Sequence, residues 1–132
     1  MATIKRAYAA AVVLKNTSKY GGVTNPVTGQ TSIPTGDIDL ETSGYFGSHV
    51  LVEFIGDNQT DSFIIEVFGS LDGSIYDSEP YIQKIVGSTG KWQVVSLVVK
   101  DLLHFRVGVR SSNTFTEFHY RITHQAWNES NA

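Results

Sequence analysis

The chain alternates apolar and polar residues over short segments, and this period of two is typical of β-strands that bury one face. Residues 103–110 and 116–124 alternate most regularly, with apolar side chains at every second position and His, Arg or Glu between them. Shorter alternations occupy residues 37–41 and 49–55. No segment keeps the 3.6-residue period of an amphipathic helix over ten residues. The pattern therefore predicts a protein built from strands.

The middle of the chain indicates that these strands are antiparallel. Residues 63–68 form an apolar strand that leads into Asp72-Gly73, a turn dipeptide in which Gly accepts a positive φ without steric cost. Another extended segment follows at residues 81–86. Residues 92–99 are almost continuously apolar, which predicts a strand covered on both faces.

Seven or eight strands separated by turn signals at 8–12-residue intervals are typical of all-β sandwiches. We predict an antiparallel β-sandwich, jelly-roll-like, over residues 37–132. An immunoglobulin-type sandwich is the alternative, although the Cys…Trp…Cys signature is missing. Residues 1–36 are rich in Gly, Thr, Ser, Asn and Pro, which predicts an extended N-terminal arm that orders on a partner.

The distribution of charge supports a role for this arm. The formal net charge of the 132 residues is −3, which argues against general nucleic-acid binding, and no apolar run is long enough to span a membrane. The arm nevertheless carries four basic residues and no acidic one, and its strand-like segment supplies apolar anchors. We expect it to dock on an acidic surface through Lys5, Arg6, Val12, Val13, Leu14, Lys15 and Lys19.

The last two predicted strands suggest a second contact surface. If residues 103–110 and 115–124 pair as a hairpin, their polar side chains share one face. These side chains are His104, Arg106, Glu117, His119 and Arg121. A His and a Glu on one face could act as an acid–base pair, but no third group orients them, so we favour a subunit or ligand contact over catalysis.

No cofactor, metal or enzymatic activity is expected from the sequence. Cysteine is absent, and the four histidines lack the spacing of a zinc site. Asp37, Asp39 and Glu41 alternate on one strand and could bind calcium through oxygen ligands. We favour the interpretation that these acids protect an edge strand from unwanted pairing.

Two stretches, residues 36–54 (GDIDLETSGYFGSHVLVEF) and 63–80 (FIIEVFGSLDGSIYDSEP), together resemble small β-sandwich virion proteins of tailed bacteriophages. The resemblance includes the element V-x-G-S-x-D-G at Val67–Gly73. It implies a structural protein at the virion surface, a capsid decoration (cement) protein whose partner is the major capsid protein. The two apolar faces of residues 92–99 further predict a homo-oligomer, with a trimer favoured over a dimer.

The alternative function is a head or tail fibre component, or another receptor- or carbohydrate-binding β-sandwich module. Aromatic side chains in loops can stack on sugar rings. The candidates are Tyr20, Tyr45, Tyr76, Tyr81 and Trp127.

Overall fold

A computed structural model describes residues 4–16, 27–28, 34–57, 59–114 and 117–131; for residues 4–7, 15–16, 28 and 129–131 it describes the backbone alone. These residues form ten strands in two antiparallel sheets and no helix. We accordingly find no helix in the described part of the chain that could cross a membrane. The predicted fold class, an all-β antiparallel sandwich, is confirmed.

The larger sheet has six strands and is organised around the last of them. It comprises β1 (Ile4–Tyr8), β2 (Val12–Asn16), β3 (Val27–Thr28), β5 (Gly47–Gly56), β8 (Gln93–Lys100) and β10 (Glu117–Asn131). One edge of β10 pairs with β1, β2 and β3, and its other edge pairs with β5 along ten residues. β8 pairs with the far side of β5 and ends the sheet.

The smaller sheet has the order β4 (Ile38–Asp39), β9 (His104–Ser111), β6 (Ser62–Ser70) and β7 (Ile82–Gly87). The Asp72-Gly73 turn lies between β6 and β7, where Gly73 has a φ of 81° as the turn dipeptide predicts. β7 lies at the same side of the sandwich as β8, because Lys84 Nζ reaches the Ser96 carbonyl at 3.4 Å.

The core fills the space between the sheets with the apolar residues of each alternation. Val50, Val52 and Phe54 of β5 face Phe63, Ile65 and Val67 of β6, and all six are buried. Aromatic rings close one end of this core: the Phe54 and Phe63 centroids are 4.6 Å apart, and those of Phe63 and Phe118 are 5.4 Å apart. Buried area of this kind provides most of the favourable free energy of folding.

The hairpin predicted between residues 103–110 and 115–124 is wrong. β9 pairs with β4 and β6 in the smaller sheet, whereas β10 pairs with β5 in the larger one. Both strands alternate correctly, but the connection after Ser111 crosses from one sheet to the other, so their apolar sides face each other across the core. His104 and Arg106 therefore do not share a face with Glu117, His119 and Arg121.

The first 36 residues include sheet strands. β1 and β2 pair with β10, and Ala9 and Leu14 pack against the core. A loop-like arm was expected here, but Ile4–Tyr8 and Val12–Asn16 complete the larger sheet because the far edge of β10 is open to them. The division into an arm and a sandwich at residue 36 stays a prediction, and residues 17–26 and 29–33 lie outside the described part of the chain.

Candidate functional site

The outer face of the smaller sheet presents aromatic and polar side chains in three rows. The register places Phe68 beside Arg106, Glu66 between Gln83 and Gly108, and Ile64 between Ile85 and Arg110. Tyr81 directly precedes β7, and its N–H donates to the Val67 carbonyl at 2.7 Å, which sets it next to Phe68. We call this surface the outer platform, and its side chains are Ile64, Glu66, Phe68, Tyr81, Gln83, Ile85, Arg106 and Arg110.

A buried carboxylate holds the polar side chains of the outer platform in place. Glu66 is 6% exposed. Arg110 Nε donates to Glu66 Oε1 at 2.8 Å, and Gln83 Nε2 donates to Glu66 Oε2 at 3.1 Å. Charge-assisted bonds of this length fix the side chains they join. Gln83 and Arg110 therefore keep one orientation and present their remaining N–H groups at the surface.

Aromatic rings form the other half of the outer platform. Tyr81 is 54% exposed, and Phe68 beside it is half-buried. The Arg106 guanidinium carbon lies 4.2 Å from the Tyr76 ring centroid and 6.0 Å from the Phe68 centroid. The Nε of Arg106 is buried and has no hydrogen-bond partner among the described residues. Arg106 is thus held by the rings, and an external acceptor could reach its terminal N–H groups.

A hydrogen-bonded chain behind Arg106 fixes the Tyr76 ring. The Tyr76 hydroxyl donates to Asp37 Oδ1 at 2.5 Å, and burial together with this bond raises the pKa of Tyr76 to about 12. The other Asp37 oxygen lies 2.8 Å from His104 Nδ1. This bond to Asp37 raises the pKa of His104, because it favours the protonated imidazole. His104 itself is buried at the start of β9.

The acids weighed above as calcium ligands surround this histidine. Asp39 Oδ1 lies 3.8 Å from His104 Nδ1, and Glu41 Oε1 lies 4.0 Å from its Nε2. Asp39 also accepts a hydrogen bond from the Thr42 N–H at 2.9 Å, which lowers the pKa of Asp39. Among the described residues no three His, Asp or Glu side chains are arranged to hold a metal ion.

A cleft of about 420 Å³ opens at the end of the sandwich next to the outer platform. The connection between β6 and β7 forms one wall, and the turn between β8 and β9 forms the other. Asp72 Oδ1 accepts the N–H groups of Ser74 and Ile75, which keeps the first wall in shape. Asp101, at the second wall, adopts a left-handed φ of 65°, a conformation that Asp tolerates better than most residues.

The structure separates the residues of the predicted polar face. Arg121 forms a two-pronged ion pair with the buried Glu53 on the larger sheet, at 2.7 Å and 3.0 Å from Nη2 to the two carboxylate oxygens. Glu117 and His119 lie on that same sheet. Whether any of these residues contacts a partner stays a prediction.

Of the predicted arm residues, Val12 and Val13 are about half exposed and Leu14 packs against the core. Lys19 lies outside the described residues, as do the side chains of Lys5, Arg6 and Lys15.

The aromatic residues proposed for sugar stacking differ in accessibility. Trp127 is 1% exposed and packs under Phe46, and Tyr45 packs against the core. The Trp127 ring is therefore closed to a sugar, and Tyr45 is only partly exposed. Tyr20 lies outside the described residues, which leaves Tyr76 and Tyr81.

Sequence reasoning missed Phe68, Gln83, Glu66 and Arg110 as site residues. The signal available was the apolar character of Ile64 and Phe68 on the polar side of the central strand.

Comparison with known proteins gives no match to a protein-family model or to a curated protein sequence. Solved structures do share the fold. The PBSX exported protein XepA aligns with 92% of this chain and 37% of its own, at 12% identity and a TM-score of 0.57. The CBM22-1-GH10 modules of Clostridium thermocellum xylanase Xyn10B, complexed with xylohexaose, align with 92% of this chain at 12% identity and a TM-score of 0.56.

This chain spans only 26% of that xylanase structure, but 84% of the isolated C-terminal family 22 carbohydrate-binding module of Xyn10B. The isolated module is 14% identical over 92% of this chain, with a TM-score of 0.51. Identities this low establish the architecture alone. The chain has the jelly-roll-like β-sandwich fold that is also found in carbohydrate-binding modules and in XepA.

Proposed function

We propose that this protein is a non-catalytic carbohydrate-binding module whose binding surface is the outer platform. The observation that carries the proposal is the exposed ring of Tyr81, set beside Phe68 on a rigid sheet and next to polar groups that are already oriented. The fold shared with carbohydrate-binding modules is consistent with this role.

The chemistry of the outer platform suits a sugar better than a protein partner. The apolar face of a pyranose ring packs on an aromatic ring, and its hydroxyl groups need fixed donors and acceptors at the edge. Tyr81 supplies the ring, Gln83 supplies a donor two residues further along the chain, and Arg106 supplies donors on the far side of Phe68. Because Glu66 orients Gln83 in advance, little side-chain entropy is lost when a sugar binds.

A pair of tyrosine variants tests the proposal directly. Binding is measured on a glycan array and by pull-down with insoluble xylan and cellulose. Tyr81→Ala should weaken binding about five-fold or more, since ring stacking is worth about 1 kcal/mol. Tyr8→Ala is the matched control, because Tyr8 is 55% exposed but belongs to β1 of the other sheet. If no glycan binds, or if the two variants bind equally well, the proposal is wrong.

A second candidate function is capsid decoration. It is favoured by the resemblance of residues 36–54 and 63–80 to phage virion proteins and by the fold shared with the PBSX exported protein XepA. In this role the protein would lie on the outside of the head shell, bound to the major capsid protein through the basic N-terminal segment.

The N-terminal segment is best tested by charge replacement. Deleting residues 1–36 would remove β1, β2 and β3 from the larger sheet and would confound binding with folding. Replacing Lys5, Arg6, Lys15 and Lys19 by Ser should instead weaken co-sedimentation with capsid shells and reduce its salt dependence. Unchanged co-sedimentation would exclude the segment as the docking element.

A further inference from the structure

Strand β8 forms a free edge of the larger sheet in the described part of the chain. Its only strand partner among the described residues is β5. Lys84 Nζ approaches the Ser96 carbonyl from the open side of the sandwich, which indicates that this carbonyl faces the free edge. In an antiparallel strand the N–H and C=O of one residue point the same way, and every second residue follows. Val94, Ser96 and Val98 therefore present backbone groups outward that no strand among the described residues pairs.

The side chains of this edge do little to prevent pairing. Val94 is 59% exposed and Val98 is 52% exposed on the outer face of the sheet. No charged residue and no proline occurs between Gln93 and Val99. Natural edge strands are usually protected by such residues or by bulges. In the described part of the chain the Lys84 ammonium covers the middle of this edge, and its bond of 3.4 Å is long for a hydrogen bond.

We propose that two copies of this chain associate through β8, in antiparallel register about a two-fold axis at Ser96. Ser96 then faces Ser96 of the second copy, and Val94 faces Val98 in two symmetric pairs. On the core side of the sheet, Val95 faces Leu97. The larger sheets of the two copies become one continuous sheet, and antiparallel pairing of identical edges makes the assembly a dimer.

Charge complementarity selects this register. With the axis at Ser96, the exposed Lys91 of each copy, two residues before β8, comes to the same end of the seam as the exposed Asp101 of the other copy, one residue after β8, so opposite charges meet at both ends. With the axis at Leu97, Asp101 would face Gln93. With the axis at Val95, Lys91 would face Val99. Of these registers only the one centred on Ser96 pairs opposite charges and also matches the exposed valines, and both features favour cross-strand pairing.

The backbone gains more than it loses in this arrangement. A pair centred on Ser96 satisfies the outward N–H and C=O groups of Val94, Ser96 and Val98 on both copies. The Lys84 ammonium leaves the Ser96 carbonyl and returns to water, which costs little because Lys84 is exposed. The seam and the outer platform are built by different sheets, so dimer formation and carbohydrate binding can be assayed separately.

Cysteine scanning tests the register in a chain that has no native cysteine. In Ser96→Cys the two thiols belong to directly opposed residues, whose Cα atoms lie about 5.5 Å apart in a hydrogen-bonded pair, within the range a disulfide needs. In the control Val94→Cys, the matching residues are four positions out of register, roughly 13 Å apart. Mild oxidation should therefore cross-link Ser96→Cys into a covalent dimer at least ten times faster than Val94→Cys.

Light scattering of the unmodified protein at tens of micromolar should give about twice the chain mass of 14.5 kDa. Val98→Lys should shift the particle to the monomer mass, because a lysine on an edge strand opposes strand pairing and here replaces the apolar contact between Val98 and Val94 in both symmetric pairs. Val13→Lys is the control, because Val13 is as exposed as Val98 (52%) but lies on β2, beyond β10 on the opposite side of the larger sheet, so this variant should remain dimeric.

A monomeric unmodified protein would overturn the proposal and leave the edge to a strand of another protein. A trimer would overturn it as well, as would equal cross-linking rates for the two cysteine variants.

Discussion

The ion pair between Glu53 and Arg121 should make a large contribution to stability, although it lies on the outer face of a sheet. Glu53 is 8% exposed, and its two oxygens accept three hydrogen bonds of 2.7–3.0 Å from Arg121. Replacing Arg121 by Met keeps most of the side-chain volume but leaves a buried carboxylate without these donors. We expect a marked loss in the free energy of unfolding.

The magnitude follows from the burial of the two partners. Removing one partner of a fully buried pair costs about 3–5 kcal/mol. The Arg121 side chain is 29% exposed, so water partly screens the pair and partly solvates the remaining Glu53. We therefore expect Arg121→Met to cost about 2–3 kcal/mol. For a chain of 132 residues this corresponds to a fall in melting temperature of roughly 7–11 °C.

A double-mutant cycle measured by urea denaturation separates the interaction energy between Glu53 and Arg121 from the effects of each substitution on neighbouring residues. Glu53→Leu combined with Arg121→Met removes both charges, and the double variant should recover at least half of the loss seen with Arg121→Met alone. If Arg121→Met changes the free energy of unfolding by less than about 0.5 kcal/mol, the stabilising role is refuted. In that case Arg121 would again be a candidate for a partner contact.

Three further outcomes follow from single positions. Gly47→Ala should destabilise the fold by about 1–3 kcal/mol in thermal denaturation, because the new methyl group would overlap the buried Trp127 ring. The bond to Asp37 raises the pKa of His104, so it adds its full contribution to the free energy of unfolding below about pH 6.5 and loses it as the pH rises through the folded-state pKa. His104→Asn should therefore remove this pH dependence from the free energy of unfolding. Burial lowers the pKa of His124, so its neutral form contributes stability that is lost as pH falls below about 6.5, and His124→Asn should reduce this acid sensitivity.

The local pattern predicted the strands better than it predicted their partners. The alternation in residues 49–55 and 116–124 correctly identified Val50, Val52 and Ile122 as core residues, because a half-buried strand must repeat every second residue. Alternation does not say which sheet a strand joins. The connection after Ser111 is short enough for a hairpin, yet it crosses between sheets.

The candidate site was harder to predict than the core. Glu66 and Arg110 are far apart in sequence and meet only because β6 pairs with β9. An exposed and a buried aromatic residue also look alike in a sequence. Tyr81 and Trp127 both appeared suitable for stacking on a sugar, but Phe46 and Gly47 pack on Trp127 and leave it 1% exposed, whereas Tyr81 is 54% exposed.

The strand order of the sandwich has a consequence for how quickly the protein folds. Among the described strands, β6 and β7 are the only sequence neighbours that pair; every other pairing joins distant parts of the chain, as Val52 joins Ile122. Domains with such non-local pairing fold in milliseconds to seconds because long loops must close before contacts form. Until β10 is synthesised, β5 has an open edge as well as β8. Stalled or truncated chains should therefore aggregate, and slow, dilute refolding should give the best recovery of native protein.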